Sequence, residues 1–504
     1  MSYILVIDQG TSSTRSILFD HQGSIVSQAQ KEITSFYPHP GWVYQDVNEI
    51  WLSVLTTMTQ AIYQHNIDPK DIDVIGITNQ RETVVAWDKK TEKPIHHAIV
   101  WQSRQTQEHC DQLKNKGYEH LIKEKTGLVI DPYFSATKLS WLMHHVSDIK
   151  SLIKEDRLAF GTIDSFIMYK LTGRHVTDVS NASRTMLFNI HTLSWDDELL
   201  DLFDIPKKTL PEVMDSSAIF GHTKTHHFFG HSIPVGGILG DQQAALFGQR
   251  AFSKGDIKNT YGTGCFILMN TGDKPVSSNQ GLLTTVAWKI KDHVIYALEG
   301  SVFVGGSVIQ WLRDGLKTIQ DAKASSHEAL TLSSNEGVYF VPAFVGLGTP
   351  YWKSEARGAI YGITRGTTSA HFTRAALESI AYQSYDVIKA MKQESQLTIK
   401  NLFVDGGATR NQFLMQFQAD ILDIHIHRPF QSESTAFGAA LMAGLSVGIY
   451  KDLKDIQNLN VEKESFYPKM SQAIREKHLD GWQAAIEATI QKRPSYTLQD
   501  DLKD

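Results

Sequence analysis

The chain has 504 residues, too many for one hydrophobic core, and two to four domains are expected. Its 41% hydrophobic and 21% charged residues are those of an ordinary globular protein, and 49 basic against 55 acidic side chains leave a net charge of −6. That balance argues against a nucleic-acid partner, which favours a basic surface. No apolar run approaches the ~18 residues of a membrane span, so no membrane partner is expected. The two cysteines, Cys110 and Cys265, form no CxxC pair for zinc or a disulfide framework. Met1-Ser2-Tyr3 passes at once into a strand pattern, without the basic segment and apolar stretch of a secretory signal, and a cytoplasmic location is expected.

The first elements read as a β-meander. Ile4 to Asp8, Arg15 to Asp20 and Ser24 to Gln30 are apolar-rich runs separated by Gly10-Thr11-Ser12 and His21-Gln22-Gly23. A helix is predicted from Asp46, with Glu49 completing a capping box and Ile50, Trp51, Val54, Leu55, Met58 and Ile62 on one face. Strand Asp73 to Thr78 enters the polar knot Asn79-Gln80-Arg81-Glu82-Thr83, and strand Val84 to Asp88 follows; such alternation marks a mixed α/β domain. The domain boundary is placed near Gly248, just after Gly240-Asp241-Gln242-Gln243, giving domains at 1–248 and 249–504.

The second half repeats the theme. Asn259-Thr260-Tyr261-Gly262-Thr263-Gly264 precedes a strand from Cys265 to Asn270, and Phe372, Ala375, Ala376, Ile380, Ile388 and Met391 mark one face of a long helix. Strand Leu402 to Val404 ends at Asp405, and Asn411 opens a helix with Phe413, Leu414, Phe417 and Ile421 on one side. The Ala- and Gly-rich run Thr435 to Leu445 allows close helix packing, and the tail Ser495 to Asp504 reads as frayed.

Two segments share a design. Ile4-Leu5-Val6-Ile7-Asp8-Gln9-Gly10 and Leu402-Phe403-Val404-Asp405-Gly406-Gly407 each run an apolar strand into an aspartate and a small-residue turn. No GxxxxGK[ST] loop is present, and Gly262-Thr263-Gly264 lacks the third glycine of a dinucleotide fingerprint. Instead Thr11, Ser12 and Ser13 on one side and Gly262, Thr263 and Gly264 on the other could offer N–H and hydroxyl donors to a polyphosphate. Any one turn taken alone is more simply a hairpin.

Arg15 could neutralise a phosphate or be a surface charge, and Asp8 could hold Mg²⁺ through water or cap its turn. Arg81 and Glu82 could donate to and accept from a polyhydroxy substrate, or lie in a solvated loop. Asp241 opens a helical run whose dipole should keep it ionised, as an N-cap would also be. Trp101 and the Tyr133 of Asp131-Pro132-Tyr133-Phe134 would ordinarily belong to a core.

Taken together, Ile77-Thr78-Asn79-Gln80-Arg81-Glu82-Thr83, Asn181-Ala182-Ser183-Arg184-Thr185-Met186-Leu187-Phe188, Gly240-Asp241-Gln242-Gln243-Ala244-Ala245 and Asn259-Thr260-Tyr261-Gly262-Thr263-Gly264-Cys265-Phe266 resemble the FGGY carbohydrate kinase family, and within it the branch acting on glycerol. The resemblance runs from Asp8 to about Gly448. It implies an α/β fold of two ribonuclease-H-like domains, of the actin and sugar-kinase type, with an interdomain cleft. The implied reaction is ATP-dependent phosphorylation of glycerol to sn-glycerol 3-phosphate, in glycerol uptake and catabolism, with ATP and Mg²⁺ as cofactors.

By that resemblance Arg81, Glu82, Tyr133, Asp241 and Gln242 would hold glycerol, Trp101 and Phe266 would line its carbon edge, and Thr11 would border both substrates. Nucleotide would meet Thr11, Ser12, Ser13 and Arg15 on one side and Thr263, Gly306, Gln310, Gly407 and Asn411 on the other. Mg²⁺ would sit near Asp8 and Asp241, with Asp241 as general base. The turn Thr11-Ser12-Ser13-Thr14-Arg15 differs from the family's commoner Thr-Thr-Ser-Ser-Arg but keeps its hydroxyls. Where some members carry a Gly-Gly-Lys-Gly-Gly-Thr-Arg inhibitor loop, this chain has Lys224-Thr225-His226-His227-Phe228-Phe229-Gly230. That loop is similar to one whose histidine takes phosphate from the phosphocarrier protein of the sugar phosphotransferase system, and His227 aligns with it. A homo-oligomer, dimer or tetramer, is also implied. Two rivals stay open: a family member acting on another polyol or ketose, and a nucleotide switch of the actin or chaperone kind. The pair Arg81-Glu82 favours a small-molecule acceptor over the switch.

Overall fold

Each half of the chain is built on one central sheet in which antiparallel strands are continued by parallel ones. The computed structural model describes residues 2–430 and 433–491, so the tail expected to fray, Ser495 to Asp504, lies outside the described residues. In the first half the framework strands are β1 (Tyr3–Gln9), β2 (Ser13–Phe19), β3 (Ile25–Glu32), β4 (Ile72–Asn79), β5 (Ser217–His222) and β6 (Pro234–Gly240). Their spatial order is β5-β6-β4-β1-β2-β3. The meander β1-β2-β3 is antiparallel, while β4 lies parallel to β1 and β6 parallel to β4. The apolar runs predicted for the meander and for Asp73 to Thr78 are these strands, within two residues at their ends.

Helix α1 (Val47–Tyr63) covers one face of this sheet, burying Ile50, Trp51, Val54, Met58 and Ile62 at helical spacing. Asp46 caps it, but through the amide of Asn48. The expected capping box does not close, because the Glu49 carboxylate instead accepts from the amide (3.3 Å) and hydroxyl (3.2 Å) of Thr34. A smaller five-stranded sheet, which includes Val84–Asp88 and Leu158–Thr162, sits beside the main one with helix α2 (Ser135–His145) and helix α3 (Ile163–Thr172).

Helix α4 (Asp241–Gly248) follows β6 without a break and leads into the second half. There the strands are β7 (Ile257–Tyr261), β8 (Cys265–Gly272), β9 (Leu283–Ile290), β10 (His293–Val302), β11 (Asn401–Asp405), β12 (His425–Pro429) and β13 (Lys463–Phe466), in the order β9-β10-β8-β7-β11-β12-β13. Again an antiparallel set, β7-β8-β10, is continued by parallel neighbours β11 and β12. Helices α5 (Ser307–Asp314), α6 (Ser369–Ser395), α7 (Gln412–Leu422), α8 (Ser434–Ser446) and α9 (Gln472–Gln491) pack around them. Asn411 caps α7 by accepting from the Leu414 amide at 3.0 Å.

The Ala- and Gly-rich run is α8, and it does pack closely. A Cβ on Gly438 would lie 1.9 Å from the Ala244 carbonyl oxygen of α4, and one on Gly248 would lie 2.0 Å from that of Ser434. Although α8 belongs to the second half, its Ala436, Phe437, Ala439, Ala440 and Ala443 form one core with Ile4, Val6, Ile17, Phe19 and Val74 of the first sheet. Among the described residues no helix is long and apolar enough to cross a membrane.

Candidate active site

Parallel strands end together, and in both halves their carboxyl ends carry the candidate residues. In the first sheet Asp8 pairs with Thr78, while Gln9 and Gly240 both pair with Asn79. Asp8, the Gln80–Thr83 segment and Asp241 therefore leave one sheet edge side by side. In the second sheet Thr260 pairs with Asp405, so the Gly262–Gly264 and Gly406–Gly407 turns emerge together. A crevice beyond the carboxyl ends of parallel strands is where α/β sheets bind ligands.

The polar knot is not a solvated loop. Arg81 and Glu82 are 3% and 1% exposed, and Glu82 has a left-handed backbone at φ 59°. Arg81 donates to both oxygens of Glu299, at 2.7 and 3.0 Å, and its Nε lies 3.2 Å from Asp241 Oδ1. Arg184 donates to Glu82 Oε1 at 2.6 Å and to Glu299 Oε1 at 3.0 Å. Two guanidiniums and two carboxylates thus close a buried ring, which draws Glu299 from β10 of the second half onto the first. Burial pushes the Glu82 carboxyl up, and the arginines pull it back. For Glu299 the arginines prevail and hold its pKa down to about 2.

Asp241 is the first residue of α4, and its Oδ1 accepts from the Gln242 amide at 2.7 Å. Burial pushes its carboxyl up, with Arg81 and Lys258 pulling it back.

Tyr133, Trp101 and Phe266 form an aromatic wall that crosses between the halves. Trp101 meets Tyr133 edge-on at 5.5 Å and Phe266 at 6.5 Å, and each of the three is only partly buried, so none is simple core. The Tyr133 hydroxyl lies 3.4 Å from Arg81 Nη2, and the Trp101 indole donates to Thr11 Oγ1 at 2.9 Å. Thr11 thereby joins the aromatic wall to the first turn, where the Gly10 amide donates to the Ser13 carbonyl at 2.9 Å.

The second set of turns is cross-braced. Gly305 and Gly306 donate to the carbonyls of Thr263 and Gly262, both at 2.8 Å, and a Cβ on Gly306 would sit 3.9 Å from Ala408. Thr263, Gly306 and Gly407 converge there, and a side chain at Gly306 would also meet the Gly262 carbonyl at 2.8 Å. Gln310 lies on the exposed face of α5, and Asn411 uses its amide on Leu414 and on Ser325 (3.1 Å).

Arg15 is not a free surface charge, since it donates to Asp8 at 2.6 Å and Glu433 at 2.5 Å. Burial pushes the Asp8 carboxyl up, Arg15 opposes this, and the nearby Asp8 in turn raises Asp241. Two carboxylates leaving the same sheet edge are hard oxygen donors that suit Mg²⁺, which needs few carboxylates and keeps several waters. Among the described residues there is no cluster of three or more His, Cys, Asp or Glu side chains for a metal held by protein alone.

His227 lies away from this group, in a turn against α1, with its ring 5.1 Å from Trp51 and 4.1 Å from His226. Burial first, then His226 and Lys224, keeps its imidazole below the usual histidine range.

Glu299 and Lys258 lie outside the segments singled out from the sequence, and Arg184, inside one of them, was given no role. Lys258 is fully buried and donates to Gln242 Oε1, to Thr260 Oγ1 at 2.9 Å and to the Phe266 carbonyl at 3.2 Å. A charged residue within an apolar strand, as in Leu298-Glu299-Gly300, was the only available signal.

The model of the FGGY family of carbohydrate kinases, N-terminal domain, matches residues 3–248, and that of the C-terminal domain matches residues 257–447. A glycerol kinase of Staphylococcus epidermidis is 55% identical over 489 residues, covering 97% of this chain and 98% of that protein. One of Bacillus licheniformis is 56% identical over 488 residues, covering 96% and 98%. The crystal structure of Plasmodium falciparum glycerol kinase with ADP is similar at a TM-score of 0.93 and 37% identity, covering 98% of this chain and 99% of that one.

Proposed function

This chain belongs to the FGGY family of carbohydrate kinases, and we infer from its cleft that it transfers the γ-phosphoryl group of ATP to a terminal hydroxyl of glycerol. The observation that carries the reading is the buried pair Arg81 and Glu82 at the edge where Asp241 emerges. A guanidinium and a carboxylate at that edge would supply donors and acceptors for a small triol, and the Trp101–Tyr133–Phe266 wall suits its carbon edge. Gln242 adds an amide to the same acceptor site.

Nucleotide lies across the two sets of turns, with Thr11, Ser12, Ser13 and Arg15 on one side and Thr263, Gly306 and Gly407 on the other. Gln310 and Asn411 border it. Asp8 and Asp241 would hold Mg²⁺, which when bound would neutralise charge on the phosphates.

Asp241 is the general base. With an alcohol about as weakly acidic as water (~15.7) and a carboxyl near ~3.9, removing the proton beforehand would cost about 16 kcal/mol. That is the whole barrier for a turnover of ~10 per second. The proton therefore leaves late, in a loose transition state where positioning and charge neutralisation dominate. Burial that raises Asp241 narrows the gap in the helpful direction.

The reaction runs where ATP is held, in the cytoplasm, and the enzyme works as a dimer or tetramer, as its family implies. His227 takes phosphate from the phosphocarrier protein of the sugar phosphotransferase system. A neutral imidazole half-buried on Trp51, with Lys224 and Lys170 near enough to depress it further, supports that role. An acid-labile phosphate on wild type and none on His227→Ala, after incubation with the phosphorylated carrier, is expected. The main reading is tested by ADP release in a coupled assay. Release should depend on glycerol and be far slower with erythritol, xylulose or dihydroxyacetone, whereas glycerol-independent hydrolysis would favour a nucleotide switch.

A further inference from the structure

Lys258 stands on β7 of the second half, yet its ammonium is spent largely on the acceptor site. It is fully buried, and its three hydrogen bonds go to Gln242 Oε1, Thr260 Oγ1 and the Phe266 carbonyl. An ammonium has three donors and no acceptor, so all of its capacity is used and each partner must present an oxygen. For Gln242 this settles which end of the amide points where. The carbonyl oxygen is turned to Lys258, and the NH₂ group is turned away from it. Among the described residues that NH₂ donates no hydrogen bond to protein, and the side chain is only partly buried, at the start of α4 beside Asp241.

We propose that Lys258 is a positioning residue of the acceptor site, fixing the Gln242 amide so that its NH₂, not its carbonyl, is offered to a substrate hydroxyl oxygen. The proposal rests on the assignment of Gln242 to that site. Because Gln242 comes from the first half and Lys258 from the second, the amide is oriented only while the two halves are in register. Acceptor binding is thereby coupled to closure of the cleft. The same ammonium holds the Phe266 backbone, so one group sets a polar and an apolar element of the acceptor wall.

The test is a double-mutant cycle on the full-length enzyme, read as KM for glycerol and for ATP. Lys258→Met keeps a similar apolar stem and removes the donors. It is expected to raise the glycerol KM about tenfold, the size of one lost buried hydrogen bond, while the ATP KM stays within about twofold. Gln242→Ala should do the same, and the double variant should be no worse than Gln242→Ala alone. Lys258→Arg, which keeps N–H donors, should lose less than Lys258→Met; it serves in the cycle if the methionine variant is too unstable to assay. Multiplying effects in the double variant, or a rise confined to the ATP KM, would overturn the proposal while leaving the acceptor site intact. A Gln242→Ala enzyme with an unchanged glycerol KM would instead show that the site assignment beneath it is wrong.

Discussion

Arg81 spends both terminal nitrogens on Glu299, which is 218 positions away in sequence, and turns its remaining Nε toward Asp241 at 3.2 Å. One side chain thus ties the other half of the chain to the proposed base. Glu299→Gln removes the charge that separates two buried guanidiniums, and breaking such a pair costs about 3–5 kcal/mol. The variant should lose stability of that order in urea unfolding and show a raised glycerol KM, with the ATP KM little changed. A normal glycerol KM would mean that Glu299 is a structural brace alone. Asp241→Asn should keep glycerol binding within about tenfold while turnover falls by ~10² or more; calorimetric titration and steady-state rates separate the two, and an unimpaired turnover would remove Asp241 as base. Arg81 and Glu82 were legible because five polar residues directly follow a buried strand. Glu299 was not, since a lone carboxylate in an alternating strand reads as solvent-facing until its partners arrive from the other sheet.

Helices α4 and α8 meet through Gly248 and Gly438, and Asp241 opens α4, so the packing of that pair sets where the carboxylate stands. Gly438→Ala places a methyl group 1.9 Å from the Ala244 carbonyl oxygen. Backbone cannot yield as a side-chain tip does, and a cost of about 3 kcal/mol is expected. The melting temperature should fall by several degrees, and kcat should fall with it as α4 shifts; an intact kcat would show that α4 does not position the base.

After α3, the His175 ring packs on Trp87 at 5.1 Å, and its Nε2–H donates to the Phe160 carbonyl at 2.8 Å. Burial pushes its pKa down to about 4. A lowered histidine binds fewer protons folded than unfolded, so stability is full above the unfolded value near 6.5 and is lost as pH falls toward 4. Wild type should lose about 2–3 kcal/mol more than His175→Phe between pH 7 and 4.5; equal losses in urea titrations would contradict this.

Strand and helix identities were largely readable, because period-2 and period-3.6 patterns are local, and so was the tight packing of the Thr435–Leu445 run. What α8 packs against was not, nor was the diversion of Glu49 to Thr34, because both partners come from elsewhere in the chain.

At the scale of the whole molecule, the sequence suggests two domains that meet at Gly248, yet the first sheet has no complete core without the second half. Its inner face, Ile4, Val6, Ile17, Phe19 and Val74, is covered by α8, while α1 covers the other. Burial of side chains of this kind is worth roughly 1.5–3 kcal/mol each, so the face is far too apolar to be left in water. A closure of the cleft would then have to pivot about the α4–α8 contact rather than part it, since parting it would expose that face. The two halves should therefore unfold as one unit. Differential scanning calorimetry is expected to give a single transition with van't Hoff and calorimetric enthalpies close to equal, and residues 1–248 produced alone should aggregate. Two resolved transitions, or a folded and soluble first half, would mean that α8 only rests on that sheet and that the cleft opens by separating the domains.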